Sequence, residues 1–196
     1  MGVDIEDGRS GSLKAQREAP GIVGGGRDKA VQQVTPLAQL DPGRAHWVSA
    51  RIAEKKKDLA TAEAEYRAAI EASHGSASAW LNLGLFYRHR ERYNDMEQAL
   101  TRVRSAPLDR PDALVDAAEI LIHSQRNLQE AVELLRAYLN SEKKVEQAPA
   151  FKVHYLLGAA AEKLGDKQSA AIEYKSALAL AREFQPAQQA LQRMNR

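Results

Sequence analysis

The stretch WLNLGLFYRHR, residues 80–90, decides the fold of this chain. At 3.6 residues per turn, Leu83, Gly84 and Tyr87 lie on one side of a helix, together with Trp80. Glycine is a poor residue for that place, since it costs about 1 kcal/mol relative to alanine inside a helix. A glycine in the middle of an apolar stripe therefore has to be explained by how the helix packs.

The same pattern returns along the chain at steps of 34, 35 and 39 residues. Three sets of positions share these steps, which indicates a tandem array whose units each contain two helices and a short polar break. Glu119 is the one large residue in a set of small ones, so we expect the third unit to be slightly open or out of register by one residue. The longest step contains Asn140–Gln147, which predicts an extra helical turn plus a polar loop. The sets are Ala62-Tyr66-Ala69, Met96-Leu100-Val103, Ala131-Leu135-Tyr138 and Ala170-Tyr174-Ala177; the small residues Ala50, Gly84, Glu119 and Gly158; and the turn residues Asp58, Arg92, Asn127 and Asp166.

The repeat phase predicts four helix pairs, flanked by two different kinds of sequence. Residues 1–26 are rich in glycine and poor in large apolar groups, so we predict a flexible segment. Residues 27–42 have apolar positions every three residues and predict one helix of a degenerate half-repeat, ended at Pro42. Residues 186–196 begin with a proline at a helix start and predict a C-terminal capping helix. The pairs predicted within 43–185 are 44–56 with 60–73, 77–90 with 93–105, 111–124 with 128–141, and 149–163 with 167–182.

The motif Trp-x-x-Leu-Gly-x-x-Tyr at residues 80–87, repeated at this spacing, resembles the tetratricopeptide repeat. The resemblance covers residues 43–182 and implies an all-α fold, an α-solenoid in which helix-turn-helix units form a right-handed superhelix. The first helix of such a unit lies close against the second, and Gly84 lets the two approach, as Ala50 and Gly158 do in their own units. The resemblance further implies a scaffold or adaptor protein of bacterial type that binds a protein or peptide.

Composition argues against several classes of function. The 196 residues carry a net charge of +2, without the strong basic bias typical of a nucleic-acid-binding protein. Cysteine is absent, which excludes disulfides and thiolate metal sites, and the five histidines form no local metal-ligand pattern. We therefore predict no metal, no cofactor and no enzymatic activity. No apolar run reaches the ~18 residues of a membrane span, and the N-terminus lacks a signal peptide, so we expect a cytoplasmic protein, or a periplasmic or envelope one if the chain is a trimmed fragment.

In arrays of this family the first helix of each pair lines a concave groove, and the repeat phase assigns residues to it. Basic head groups, an apolar floor and two aromatic rings would suit a peptide or partner helix of partly acidic character. Arginine and aromatic side chains dominate interface hot spots, so they are the expected anchors. The candidates are Trp47, Arg51 and Lys55 from the first unit; Leu81, Asn82, Leu85, Arg88 and His89 from the second; Asp116, Ile120 and His123 from the third; and Lys152, Tyr155 and Ala159 from the fourth, with anchors at Trp47, Arg51, Arg88 and Tyr155.

One family sub-type grips the C-terminal carboxylate of heat-shock chaperones with lysine, asparagine and arginine side chains at fixed groove positions. Asn82 and Lys152 stand at matching positions here. Trp47, Arg51 and Leu156 replace the lysine, asparagine and arginine that the sub-type requires. The sequence therefore argues against binding of chaperone tails.

Three other roles stay open. The chain could be an accessory or regulatory segment of a larger enzyme or envelope-assembly protein. Nucleic-acid binding through Lys55-Lys56-Lys57 and the basic run Arg88–Arg92 is the weakest alternative, because the total charge is nearly balanced. Self-association through uncovered edges of the array is a further candidate.

Overall fold

The computed structural model describes residues 37–194, which form helices and connecting turns without any strand. Residues 37–40 are helical, and nine further helices follow with both ends described. The ends of these nine helices agree with the predicted ends to within two residues. The helices are α1 (Pro42–Lys55), α2 (Leu59–Ala72), α3 (Ala77–His89), α4 (Tyr93–Val103), α5 (Ala113–Ser124), α6 (Leu128–Asn140), α7 (Ala150–Lys163), α8 (Lys167–Leu180) and α9 (Gln185–Met194).

Two of the predictions concern residues that lie largely outside this range. The flexible segment predicted for residues 1–26 and most of the half-repeat predicted for residues 27–42 are not among the described residues. At the other end of the chain, α9 packs against α8 and buries Ala187 and Ala190 completely. Its role as a cap for the last repeat stays a prediction.

Short polar side chains start the helices by satisfying free backbone N–H groups. The backbone N–H of Thr61 donates to the Asp58 carboxylate at 3.2 Å, and that of Ser169 donates to Asp166 at 2.9 Å. Ser76 accepts from the N–H of Ala79 at 3.3 Å in the same way at the start of α3. Such N-caps fix where these three helices begin. The helices that start at Tyr93, Ala113, Leu128 and Ala150 have no side-chain cap.

The two helices of a hairpin approach each other through the small residues of the repeat. A Cβ added at Gly84 would lie 2.6 Å from a methyl carbon of Leu100, and one added at Gly158 would lie 2.6 Å from the Tyr174 ring. Leu100 and Tyr174 come from the second helix of the same hairpin and are buried. The glycine in the opening stretch is therefore explained, because the second helix occupies the space of its missing side chain.

Successive hairpins stack so that their first helices become neighbours. Helix α5 packs against both α3 and α7, while α1 and α3 stand further apart, and the second helices of successive hairpins make no comparable contact among the described elements. The first helices therefore lie on the inner side of a curved stack, as expected for a solenoid of repeated units. We call the surface formed by the solvent-facing side chains of these first helices, α1, α3, α5 and α7, the inner face.

The assignment of Glu119 to the small-residue set was wrong. The position that corresponds to Gly84 is Ala118, which is 34 residues further on and completely buried. The error has a local cause in the turn that follows α5. In the other hairpin turns, a single residue with positive φ comes directly before the N-cap residue. In this turn Gln125 and Asn127 both have positive φ, and Arg126 lies between them. The third unit is thus in register up to this turn, which contains one extra residue.

The prediction for the long step was correct about the loop but wrong about an extra helical turn. Helix α6 ends at Asn140, and the residues up to α7 form an irregular loop. The buried Tyr138 holds this loop in place. Its hydroxyl donates to the carbonyl of Ala148 at 2.8 Å and accepts from the N–H of Val145 at 3.0 Å.

Gly158→Ala is expected to lower the melting temperature more than Gly84→Ala does. The new methyl group meets a rigid ring of Tyr174 at Gly158 but a flexible side chain of Leu100 at Gly84. Overpacking of a core costs about 1–3 kcal/mol, against a gain of about 1 kcal/mol in helix propensity. Thermal unfolding followed by circular dichroism measures the difference. Equal melting temperatures for the two variants would contradict the close approach at Gly158.

Stability is expected to fall at acid pH partly because the caps Asp58 and Asp166 become protonated. Hydrogen bonds from Thr61 and Ser169, respectively, lower the pKa of each carboxyl below its ordinary value of 3.8. The ionised caps therefore stabilise the fold above about pH 4, and this contribution is lost as pH falls through the lowered pKa values. Replacing both residues by asparagine keeps the caps and should flatten the dependence of the melting temperature on pH between about 4 and 2.

Candidate functional site: the inner face

The half of the inner face formed by α1 and α3 carries cations that no other residue in the range 37–194 neutralises. Lys55 and Arg88 form no hydrogen bond or ion pair with another described residue. Arg51 donates to Glu54 at 2.9 Å and stays half exposed. The exposed His89 lies beside Arg88 in the last turn of α3. The ends of α1 and α3 therefore present net positive charge to a ligand.

The half formed by α5 and α7 is neutralised internally. Arg110 forms ion pairs with Asp112 and Asp116. Burial raises the pKa of Asp116, and the charge of Arg110 opposes that shift. Lys152 lies 2.9 Å from Glu119, so this ion pair crosses from α7 to α5. Two residues predicted to bind a ligand, Asp116 and Lys152, are thus already engaged inside the protein.

Several predicted inner-face residues contribute instead to the core. Leu81 and Ile120 are only 4% and 7% exposed, so assigning them to the groove was wrong. Leu85 is half-buried and packs against the main hydrophobic core. Among the remaining candidates, His123 is exposed and its ring Nδ1 lies 2.8 Å from the carbonyl of Glu119. Ala159 packs at the edge of the core.

Tyr155 is an aromatic residue of the inner face whose ring is already packed. Its centroid lies 5.4 Å from that of Phe184 in an edge-to-face contact at 87°, and 5.8 Å from that of Tyr174. Its neighbour Phe151 also contacts Phe184, at 5.0 Å. Tyr155 therefore serves the packing of α9 on the last hairpin. Trp47, the other predicted aromatic anchor, is also half-buried and packs against the main core.

A cleft of about 250 Å³ opens between α1 and α3. Trp47 and Asn82, both predicted inner-face residues, lie in its wall. Repeat phase alone did not reveal it, because the cleft depends on how far apart two first helices stand. Its lining residues are Asp41, Gly43, Arg44, Trp47, Ala69, Ser73, Ser76, Ser78, Ala79, Asn82 and Asp109.

Away from the inner face, a polar cluster joins the first two hairpins. The Glu63 carboxylate accepts from the Tyr87 hydroxyl at 2.8 Å and lies 2.5 Å from Arg92 and 3.1 Å from Arg67. Burial, together with Glu63, raises the pKa of Tyr87 to about 12, so its hydroxyl stays protonated as a donor. A similar contact joins the next pair of hairpins, where Arg126 lies 2.5 Å from Glu97. These pairs hold successive hairpins in register.

Among residues 37–194 there is no group of three histidine, cysteine or acidic side chains that could hold a metal ion. Within the same range, no helix is long and apolar enough to cross a membrane. The polar and aromatic groups that the described inner face presents are guanidinium and ammonium groups, amides, and the half-buried indole ring of Trp47.

A stack of helical hairpins with an exposed, charged inner face defines a helical-repeat protein. Comparison with known families makes this specific, since the tetratricopeptide repeat matches residues 24–77 and 124–186, more than half of the sequence. The chain belongs to the tetratricopeptide repeat family. Membership in this family supports a role in protein interaction.

Two solved structures resemble the chain. YrrB, described as a TPR protein with an unusual peptide-binding site, is 16% identical, with 84% of each chain covered and a TM-score of 0.57. At this identity the likeness shows the fold alone. PilF of Pseudomonas aeruginosa is 17% identical over 85% of this chain and 91% of its own, and its TM-score of 0.35 adds nothing to the assignment. No curated protein sequence matches the chain.

Glu63→Ala is expected to lower the melting temperature clearly, because three donors on two hairpins lose a half-buried acceptor. Hydrogen bonds to charged groups contribute about 1.5–3 kcal/mol each in favourable cases, and about 1–2 kcal/mol is expected here after relaxation. Glu71→Ala on the same helix is the matched control, since Glu71 is exposed. Thermal denaturation compares the two variants, and equal losses would show that the cluster does not stabilise the stack.

Proposed function

We propose that the protein is a non-catalytic scaffold or adaptor whose inner face binds a peptide or helix of a partner protein, with acidic residues meeting α1 and α3. The observation that supports this proposal is the unequal use of charge along the inner face. Lys55 and Arg88 have no partner among the described residues, whereas Asp116 and Lys152 are neutralised internally. An acidic segment would therefore bind most favourably to the first half of the array, where these two cations have no partner among the described residues.

The structure changes which residues best test this proposal. Arg51 is bonded to Glu54, and Glu54 also accepts from the hydroxyl of the buried Tyr66 at 2.7 Å. A charge reversal at Arg51 would therefore disturb the first hairpin itself. Lys55 and Arg88 are the better choice, because reversing their charge leaves every described ion pair intact.

The experiment compares what the wild type and the double variant Lys55→Glu with Arg88→Glu retain from a lysate of the source organism. The matched control is Arg102→Glu with Arg136→Glu, which changes the charge equally at exposed positions on the second helices α4 and α6. We expect a partner that is retained by the wild type and the control but lost, by at least about ten-fold, from the inner-face variant. Quantitative mass spectrometry reads the outcome. Identical partner lists for all three proteins would contradict a role for the inner face.

Nucleic-acid binding is the alternative that the same surface allows. It would use Lys55-Lys56-Lys57 together with Arg88 and Arg90, which lie near one another at the ends of α1 and α3. Nucleic-acid affinity falls steeply with salt, by about 10³–10⁵ between 50 and 200 mM when several phosphates are contacted. Binding of a labelled single-stranded oligonucleotide at both salt concentrations separates this role from peptide binding.

A further inference from the structure

The first and fourth hairpins are two copies of the same unit with a constant offset of 108 residues. The offset relates α1 to α7, α2 to α8, and the start of α3 to the start of α9. Specific contacts repeat as well as helix ends. His46 lies 2.8 Å from Glu65, and their counterparts His154 and Glu173 lie 2.7 Å apart. Each position in the first hairpin therefore has a structural counterpart in the fourth.

At one place the two copies differ in how they fill space. In the fourth hairpin, Phe151 and Tyr155 pack around Phe184, the residue directly before α9. The offset of 108 residues relates these three aromatic residues to Gly43, Trp47 and Ser76. Two of the three rings are thus missing from the first hairpin, and only Trp47 keeps an aromatic ring at the position of Tyr155.

The cleft between α1 and α3 lies where the missing rings would be. Gly43, Trp47 and Ser76 all line it. So do Ala69 and Ala79, whose counterparts Ala177 and Ala187 are completely buried in the cluster that includes Phe184. Among the described residues the same cradle therefore occurs twice, filled by Phe184 in the fourth hairpin and unfilled in the first.

The size of the cleft agrees with this comparison. An apolar cavity of about 150 Å³ is enough to bind benzene. The cleft measures about 250 Å³, so one aromatic side chain fits with room for the backbone that carries it. Its wall is apolar at Trp47, Ala69 and Ala79 and polar at Asn82 and the serines. The exposed Asp41, Arg44 and Asp109 add charged groups at its edge, so a ring at the end of a peptide would meet both apolar and polar groups.

We propose that the cleft between α1 and α3 is an anchor pocket for an aromatic side chain of the partner, which packs edge-on against Trp47 as Phe184 packs against Tyr155. This inference rests on the proposed function and adds the chemistry of the anchoring residue. The anchor lies at the N-terminal ends of α1 and α3, whereas Lys55 and Arg88 lie near the C-terminal ends of the same helices. The partner segment then carries an aromatic residue and, further along its length, acidic residues.

The middle interfaces of the array do not offer the same pocket. The counterparts of Trp47 in the second and third units are Leu81 and Val115, both of which are buried in the core. Aliphatic side chains of the protein fill these positions, so the inner face has room for one ring between α1 and α3.

The test uses a probe that does not require the partner to be known. N-acetyl-phenylalanine amide is titrated into the full-length ¹⁵N-labelled protein, and N-acetyl-alanine amide is titrated into a second sample. We expect saturable shifts of the Trp47 indole and the Ala79 and Asn82 amides with the phenylalanine probe, and at least ten-fold weaker effects with the alanine probe. Equal effects of the two probes, or no saturable shift at these residues, would overturn the proposal.

A matched pair of variants at Ser76 tests whether the pocket is where the comparison places it. Ser76→Phe supplies the ring that the fourth hairpin carries as Phe184, and should abolish the shifts caused by the phenylalanine probe. Ser76→Ala loses the same N-cap but leaves the pocket open, so it should keep those shifts. Filling from Gly43 is less suitable, because its Cβ would lie 3.1 Å from the Cβ of Ser73. Persistence of the shifts in Ser76→Phe would overturn the proposal.

One further variant serves if Ser76→Phe does not fold. The experiments also let the two proposals fail separately. If Ser76→Phe loses its dispersed spectrum, Asn82→Phe enters the cleft from α3 without touching the cap and is titrated in its place. Lys55→Glu with Arg88→Glu should leave the phenylalanine shifts intact, because neither residue lines the cleft. Failure of the probe experiment thus removes the aromatic pocket alone, whereas failure of the charge-reversal experiment removes the acidic partner.

Discussion

The close approach of the two helices in each hairpin is the constraint on which the rest of the structure depends. At Gly84 and Gly158 no Cβ can be accommodated without displacing Leu100 or the Tyr174 ring. This approach buries the second helix against the first and sets the angle between them. In the first and third units the corresponding residues are Ala50 and Ala118, which are completely buried, so each hairpin closes over a small residue. The hairpins stack in one direction and the first helices lie on the inner side.

Once the stack is formed, the side chains available for binding are those that are neither packed in the core nor paired with another charge of the protein. The cluster around Glu63 and the contact of Arg126 with Glu97 engage charges that join hairpins at a distance from the inner face. On the inner face, the pair Lys152–Glu119 neutralises one half. In the other half, Lys55 and Arg88 have no partner among the described residues, and the cleft lies between α1 and α3.

Sequence reasoning recovered the helices because local signals fix them. Apolar periodicity, capping aspartates and the repeat interval act over a few residues, and each observed helix end lies within two residues of its predicted position. The sequence left two alternatives for the third hairpin, slightly open or out of register by one residue, and the structure shows the second, because the turn after α5 contains one extra residue. Leu81 and Ile120 were placed on the inner face because helical phase cannot tell how deeply a neighbouring hairpin covers a residue.

The sequence by itself determined the hairpins, their number between residues 43 and 185, and the basic and aromatic character of the first helices. Those properties follow from spacing and residue type, which local hydrogen bonds and helix geometry convert directly into structure. Only the tertiary structure decided which of those side chains are free. Tyr155 and Trp47 occupy the same position in their repeats, but only the Tyr155 ring is covered, by Phe184, which comes directly before the next helix. In the first unit the residue at that place is Ser76, so the Trp47 ring lies at the cleft between α1 and α3.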